Sequence, residues 1–249
     1  MKLLIFIFVW LNLTATLSAK ELRVAVATNF MEAAKEISKA FEKNTEHTTL
    51  LSFGSTGQLY TQISQHAPFE VFLAADQVRP KKTVKEDLAV QGSRFTYASG
   101  KIVLFSLNQT LINPKITLEQ GNFTKIAIAN PITAPYGVAA IQVMKNLKLY
   151  KYLKSKIVYG NNVAQTYQFV HTENAELGFI ALSQTIKSSV GSHWVVPKEL
   201  YSNIYQDAVL LKQGINNPAA YEFLEFLKGP EATNIIAQYG YGISSDEKI

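Results

Sequence analysis

Ser55 and Thr56 place two hydroxyls side by side in the stretch LLSFGSTGQLYTQISQHAPFEVFLAADQVRP. A short apolar run, Thr48 to Phe53, precedes them and reads as a buried strand. Gly54 permits a sharp turn, and Ser55 with Gln58 three residues on forms the Ser-x-x-Gln pattern of a capping box. Leu59, Ile63 and His66 then mark one face of a helix. A helix that starts this way presents free backbone N–H groups at its positive end, and with two hydroxyls beside them it is a ready site for an anion. The same sequence pattern recurs: helices are expected to start directly after strands at Asn29, Tyr136 and Asn162 as well as at Ser55. None of the four starts carries a charged side chain. Such donors bind an anion by N–H and O–H hydrogen bonds alone. Ordinary N-caps would show the same mixture of residues, since Ser and Asn are favoured at that position in any helix.

Other chemistry has little to build on. The sequence holds no G-x-x-x-x-G-K-[ST], G-x-G-x-x-G, H-E-x-x-H or G-x-S-x-G pattern. His47, His66, His171 and His193 stand apart from one another and read as surface or packing residues. Glu173 and Glu176 lie in a turn before a strand and read as solvated carboxylates rather than an acid–base pair. With no cysteine, disulfides, thiolate metal sites and a lipid-anchored cysteine are excluded. The densest basic run, Arg79 to Lys85, lacks interleaved aromatics and reads as a solvated helix face rather than a nucleic-acid patch. The formal charge of +5 adds a mildly basic field that favours anionic ligands.

The elements that must position these residues alternate. Met1 to Ala19 has a lysine, an apolar run from Leu3 to Leu13 and small residues for cleavage, and so reads as a secretory signal peptide cut after Ala19 or one residue earlier. Leu22 to Thr28 is a nearly all-apolar strand, and Asn29 with Glu32 is expected to cap the helix striped by Phe30, Ala33, Ala34, Ile37 and Phe41. After the Ser55 unit, Phe95 to Ser99 and Lys101 to Ser106 are extended with Gly100 between them, a plausible crossing from one lobe to another. Lys125 to Asn130 is a strand, and Pro135-Tyr136-Gly137 opens a helix with Val138, Ile141 and Leu147 inward. Lys156 to Gly160 is a strand followed by a second capping box, Asn162 to Gln165. Further strands fall at Leu177 to Leu182, His193 to Val196 and Asp207 to Leu211, before two closing helices. The alternation predicts an α/β fold with mainly parallel sheets, whose ligands bind beyond the carboxyl ends of the strands.

Taken together, AVATNFMEAAKEISKAFEK, SFGSTGQLYTQISQHAPFEVFLAADQVRP, GSRFTYASGKIVLFS, ANPITAPYG, NNVAQTYQFV, ELGFIAL and FLKGPEATNIIAQYGY resemble, in this order, the periplasmic molybdate-binding proteins of ABC-type importers. The resemblance covers essentially the whole mature chain. It implies a two-lobed type II periplasmic-binding fold, each lobe a mainly parallel sheet flanked by helices, with two hinge crossings. The corresponding division is 1–19 signal peptide, 20–98 first lobe, 99–203 second lobe and 204–249 return to the first. The resemblance places the ligand-binding residues at Thr28 and Asn29, at Ser55 and Thr56, at Tyr136 through its backbone N–H, and at Val163 through its backbone. Many members have Ala-Ser where one branch, like this chain, has Thr-Asn. Some members add a tyrosine hydroxyl where this chain has Ala181, so that Thr28 or Tyr136 is expected to substitute for it.

The resemblance therefore implies a periplasmic binding protein, not an enzyme, with no catalytic residue, no cofactor and no metal cation. Such a protein captures molybdate or tungstate between its lobes and passes it to an inner-membrane ABC permease. The chain is expected to be a monomer with no lipid anchor and no nucleic-acid partner. Two alternatives stand beside this reading: a receptor for sulfate or phosphate, and an exported hydrolase using Ser55 or Thr56 as nucleophile.

Overall fold

A computed structural model describes residues 19–108 and 114–243; the expected signal peptide lies outside them apart from Ala19. Strand β1 (Glu21–Ala27) passes through a short 3-10 turn, Thr28–Phe30, into helix α1 (Met31–Asn44). Next come β2 (Thr48–Gly54), α2 (Thr56–Ser64), β3 (Val71–Leu73) and α3 (Val78–Lys85). β4 (Phe95–Gly100) and β5 (Ile102–Ser106) follow almost without a break, then α4 (Pro114–Gln120), β6 (Ile126–Ala129) and α5 (Pro135–Asn146). The rest is α6 (Tyr150–Leu153), β7 (Ile157–Gly160), α7 (Val163–His171), β8 (Leu177–Ala181), β9 (Ser192–Val195), β10 (Ile204–Leu210), α8 (Pro218–Lys228) and α9 (Pro230–Gln238).

The strands form two five-stranded sheets, ordered β2-β1-β3-β10-β4 and β7-β6-β8-β5-β9. β1, β2 and β3 are mutually parallel, while β10 pairs antiparallel with both β3 and β4. Four strands of the first sheet therefore run one way and β10 alone runs back. The second sheet repeats the plan: β6 is parallel to β7 and β8, and β5 is antiparallel to β8 and β9. The expected α/β two-lobed architecture, mainly parallel in each lobe, is the one observed. β4 ends in the first sheet at Gly100 and β5 begins in the second at Ile102, so the chain crosses at Lys101. It returns between Val195 and Ile204.

Helices cover both faces of the central strands, which is why β3, β5, β6 and β8 are buried along their whole length rather than alternating. Val24, Val26, Leu73 and Ala208 pack with Phe30, Ile37, Phe41 and Phe223 in the first lobe. Ile126, Ile128, Phe105 and Phe179 pack with Ala140, Val143 and Met144 in the second. Ala27 and Ala75, at strand ends of the first sheet, pack into this second core, so the lobes meet there.

Four local expectations are corrected. Asn29 does not cap α1: that helix starts two residues later, with no side-chain cap, and the Asn29 amide is buried elsewhere. At α7 only half of the capping box forms. The Asn162 side chain accepts from Gln165 N–H at 3.0 Å, but the Gln165 amide oxygen takes the N–H of Asn161, at 2.7 Å, rather than that of Asn162. Val138 points outward, because α5 turns its Ala139, Ala140 and Val143 face to the core. His66 lies past the end of α2, exposed, at a φ of 60°.

Candidate functional site

Register gathers the chemistry-bearing loops. In the first sheet Ala27 lies opposite Gly54, so the residues that follow β1 and β2 emerge side by side. In the second, Ala129 lies opposite Gly160, and Asn130 N–H donates to Gly160 carbonyl at 2.8 Å across the two emerging loops. All four loops leave the carboxyl ends of parallel strands, and the lobes present these ends to each other. Between them lies a small cavity lined by Ala27, Gly54, Ala75, Ala134 and Pro135 together with the six residues singled out in the sequence. Thr28, Asn29, Ser55, Thr56, Tyr136 and Val163 all line it, and all six are buried.

The six are not equivalent. Thr28 has a hydroxyl that bonds to no described residue and opens on the cavity. Thr56 Oγ1 accepts the N–H of Ala75 at 3.0 Å, which leaves its hydroxyl proton free to donate elsewhere. Ser55, by contrast, is engaged with Gln58: its hydroxyl donates to Gln58 Oε1 at 2.8 Å and accepts Gln58 N–H at 3.4 Å, and its own N–H donates to Gln58 Oε1 at 3.2 Å, completing the capping box. Tyr136 and Val163 stand in the first turns of α5 and α7, where N–H groups have no partner inside the helix. Neighbouring N–H groups in α5 are used, that of Gly137 on Ala134 carbonyl at 2.9 Å, whereas that of Tyr136 has no acceptor among the described residues.

The side chain of Asn29 faces away from the cavity. Its Nδ2 donates to Gln206 Oε1 at 2.9 Å and to Tyr241 hydroxyl at 3.1 Å. Its carbonyl accepts Tyr241 hydroxyl at 2.6 Å and Ser183 hydroxyl at 2.7 Å, the latter from the second lobe. The Tyr136 hydroxyl also points behind the cavity, beneath Gly100, where a Cβ on that residue would run into it. There it takes a hydrogen bond from Gln206 Nε2 at 3.5 Å, and Gln206 Oε1 accepts a further bond from Tyr97 at 3.1 Å. This buried network of Asn29, Tyr97, Tyr136, Ser183, Gln206 and Tyr241 was not singled out from the sequence. Its members are scattered, and no local pattern marks a glutamine in the middle of a strand as a junction.

Among the described residues, no charged side chain lines the cavity. Tyr136 is its one titratable lining residue, and burial pushes that phenol well above its ordinary range, so it stays neutral. His66, His171 and His193 are exposed; His47 is buried against Phe41 in the first lobe and is not a lining residue. The two loop carboxylates part company. Glu176 accepts N–H from Thr124 and Lys125 at 3.0 and 2.9 Å, and although burial opposes its ionisation, these bonds hold its pKa below the usual carboxylate value. No group of His, Asp or Glu among the described residues is arranged to hold a metal ion.

Two α/β lobes joined by two crossings, with a small uncharged cavity where their strand ends meet, have the plan of a solute-binding protein. The family model for bacterial extracellular solute-binding proteins matches residues 22–242, and the chain belongs to that family. It is 50% identical over 231 residues to the molybdate-binding protein ModA of Rhodobacter capsulatus, covering 93% of this chain and 92% of that one. To the protein of the same name from Azotobacter vinelandii it is 51% identical over 235 residues, 93% of each. The solved periplasmic molybdate-binding protein of Azotobacter vinelandii superposes with a TM-score of 0.86 at 39% identity, covering 89% of this chain and 99% of that chain.

Proposed function

We propose that this chain is the periplasmic receptor of an ABC importer, capturing molybdate or tungstate between its lobes and delivering it to a membrane permease. The observation that carries the reading is the cavity itself: small, closed between lobes, and lined by N–H and O–H donors with no charge of either sign. A tetrahedral dianion offers only acceptors, and backbone N–H groups at helix starts are matched to it. The relatives at 50% and 51% identity, both molybdate-binding proteins by name, support the same ligand. Within the site, Thr28 and Thr56 supply hydroxyls, and Asn29, Tyr136 and Val163 supply backbone N–H groups. Thr28 takes the place of the tyrosine that some members carry where this chain has Ala181. Ser55 holds the loop in shape through Gln58. The two lobes are hinged at Lys101 and at the segment before Ile204.

The protein performs no chemistry on its ligand, acts as a monomer, and reaches the periplasm through removal of Met1 to Ala19. Calorimetry against molybdate, tungstate, sulfate and phosphate tests the reading. Molybdate and tungstate are expected to bind far more tightly than the other two; equal affinity for sulfate would make this a general tetrahedral-anion receptor instead.

A further inference from the structure

Beside the cavity, the first lobe grips the second at one short loop. Residues 130–134, between β6 and α5, are folded on themselves: Thr133 and Ala134 N–H donate to Asn130 carbonyl at 3.1 and 2.8 Å, and Ile132 N–H donates to Asn130 Oδ1 at 3.0 Å. The loop is thus a preformed knob, with the Ile132 side chain 79% exposed at its tip. It presents two consecutive carbonyls to the first lobe. Arg79 Nη2 donates to Ile132 carbonyl at 2.9 Å, and Gly57 N–H donates to Thr133 carbonyl at 2.8 Å.

Both donors are held in advance. Asp76 accepts the backbone N–H of Arg79 at 2.9 Å and its Nη1 at 2.5 Å, which fixes the guanidinium fork with Nη2 pointing across the cleft. The two side chains are only 23% and 15% exposed, so this pair is screened less than a surface one. Gly57 is the other half of the fit. A Cβ there would stand 2.9 Å from Thr133 Cα, so any larger residue pushes the loop away and breaks the bond. Thr133 leads directly into Ala134, Pro135 and Tyr136, which line the cavity, so the grip fixes the loop that carries one of the anion donors. An ion pair that does span the lobes, Lys187 with Glu36 at 3.1 Å, is exposed on both sides and adds little.

Bonds between residues of opposite lobes exist only when the lobes are shut, so their free energy favours the closed state alone. We propose that Asp76, Arg79 and Gly57 form a clasp on the Ile132–Thr133 peptide, which holds the lobes together and slows release of the bound oxyanion. The proposal rests on the binding reading above for its effect on release, but the effect on lobe closure stands without it.

The natural chain has no cysteine, so the pair K43C and K154C, one exposed lysine in each lobe, gives two unique labelling positions. Distances between spin labels are measured in ligand-free protein, and molybdate release and capture by stopped-flow. Arg79→Ala is expected to lengthen the ligand-free distances and to raise the release rate about tenfold or more, as for loss of one charged hydrogen bond, with the capture rate changed by no more than about twofold. Arg79→Lys restores part of the effect, and Gly57→Ala acts in the same direction as Arg79→Ala. Unchanged distances in both Arg79→Ala and Gly57→Ala overturn the clasp, whatever happens to the rates, as does a release rate that matches the unmodified chain. If the unmodified chain fails to bind molybdate, the binding reading falls, and the ligand-free distances alone then decide the clasp.

Discussion

Asn29 and Thr28 are adjacent in the chain and both line the cavity, yet their side chains should fail in opposite ways when removed. In Asn29→Ala the two Nδ2 bonds, to Gln206 Oε1 and Tyr241 hydroxyl, are lost. Gln206 is fully buried, and its oxygen keeps the bond from Tyr97 as its remaining partner. At about 1 kcal/mol for each buried bond, with part of a desolvation penalty added, the loss is about 2–3 kcal/mol of stability. For a chain of this length that lowers the melting temperature by roughly 4–12 °C. The N–H groups and carbonyl of the loop are untouched, so molybdate affinity should stay within about tenfold, or 1.4 kcal/mol. Thr28→Val keeps the shape and removes only the hydroxyl that opens on the cavity. It should leave the melting temperature nearly unchanged and weaken binding by 1.5–3 kcal/mol, roughly 10- to 150-fold, the cost of leaving an oxyanion lone pair without its donor. Denaturant titration and calorimetry on the two purified variants read both quantities. A loss of more than about a hundredfold in affinity by Asn29→Ala at unchanged stability would refute this assignment, because its amide would then face the ligand and not Gln206.

Three further outcomes are expected from the same geometry. Thr56→Val should weaken binding more than Ser55→Ala, because the Thr56 proton is free while that of Ser55 is spent on Gln58; Ser55→Ala should instead cost about 1 kcal/mol of stability as a lost cap. Affinity for molybdate should be flat from about pH 6 to pH 9, since the cavity's one titratable lining residue is a tyrosine pushed upward; a tenfold change across that range in calorimetry would place a titrating group at the anion. Stability itself should fall in strong alkali. Burial raises the phenols of Tyr97, Tyr136 and Tyr241, so above about pH 10 the unfolded chain sheds protons that the folded chain keeps, and each tyrosine removes about 1.4 kcal/mol per pH unit until it ionises. Urea unfolding at pH 8 and pH 11 measures this, and equal stability at both would show that these hydroxyls are hydrated in the folded protein.

Much of the arrangement was legible because it is local. The capping box at Ser55 and Gln58 forms as its spacing requires, and the apolar strands announce sheets covered on both faces. Gly100 between two extended runs marked the crossing to within a residue. The features hidden in the sequence are tertiary. Asn29 has both the type and the spacing of an N-cap, and only the arrival of Gln206 from β10 and Tyr241 from beyond α9 draws its amide away. Gln165 likewise had two N–H groups within reach and took that of Asn161. The different engagement of Ser55 and Thr56 was not legible along the chain, because it turns on Ala75 N–H, brought from beyond the end of the next strand to the Thr56 oxygen. Val138 went wrong for a different reason: α5 buries alanines, whose small side chains carry a weak periodic signal.

The duplicated sheet plan explains why the hinge and the binding site are one place. In each sheet a single strand runs against the others, β10 in the first and β5 in the second, and these are the strands through which the chain enters each lobe after crossing. Reversal brings the crossing to the same end of the sheet as the loops that follow the parallel strands. The start of β10 therefore lies directly behind the cavity, and Gln206, close to that start, reaches Asn29 of one lobe and Tyr136 of the other. Both of these residues also line the cavity. A rotation about the crossings must strain the Gln206 bond to Tyr136, the one of the two that spans the lobes, and with it the loop that opens α5 beside the cavity. Opening and loss of ligand geometry thus come from the same displacement, as release to a permease requires.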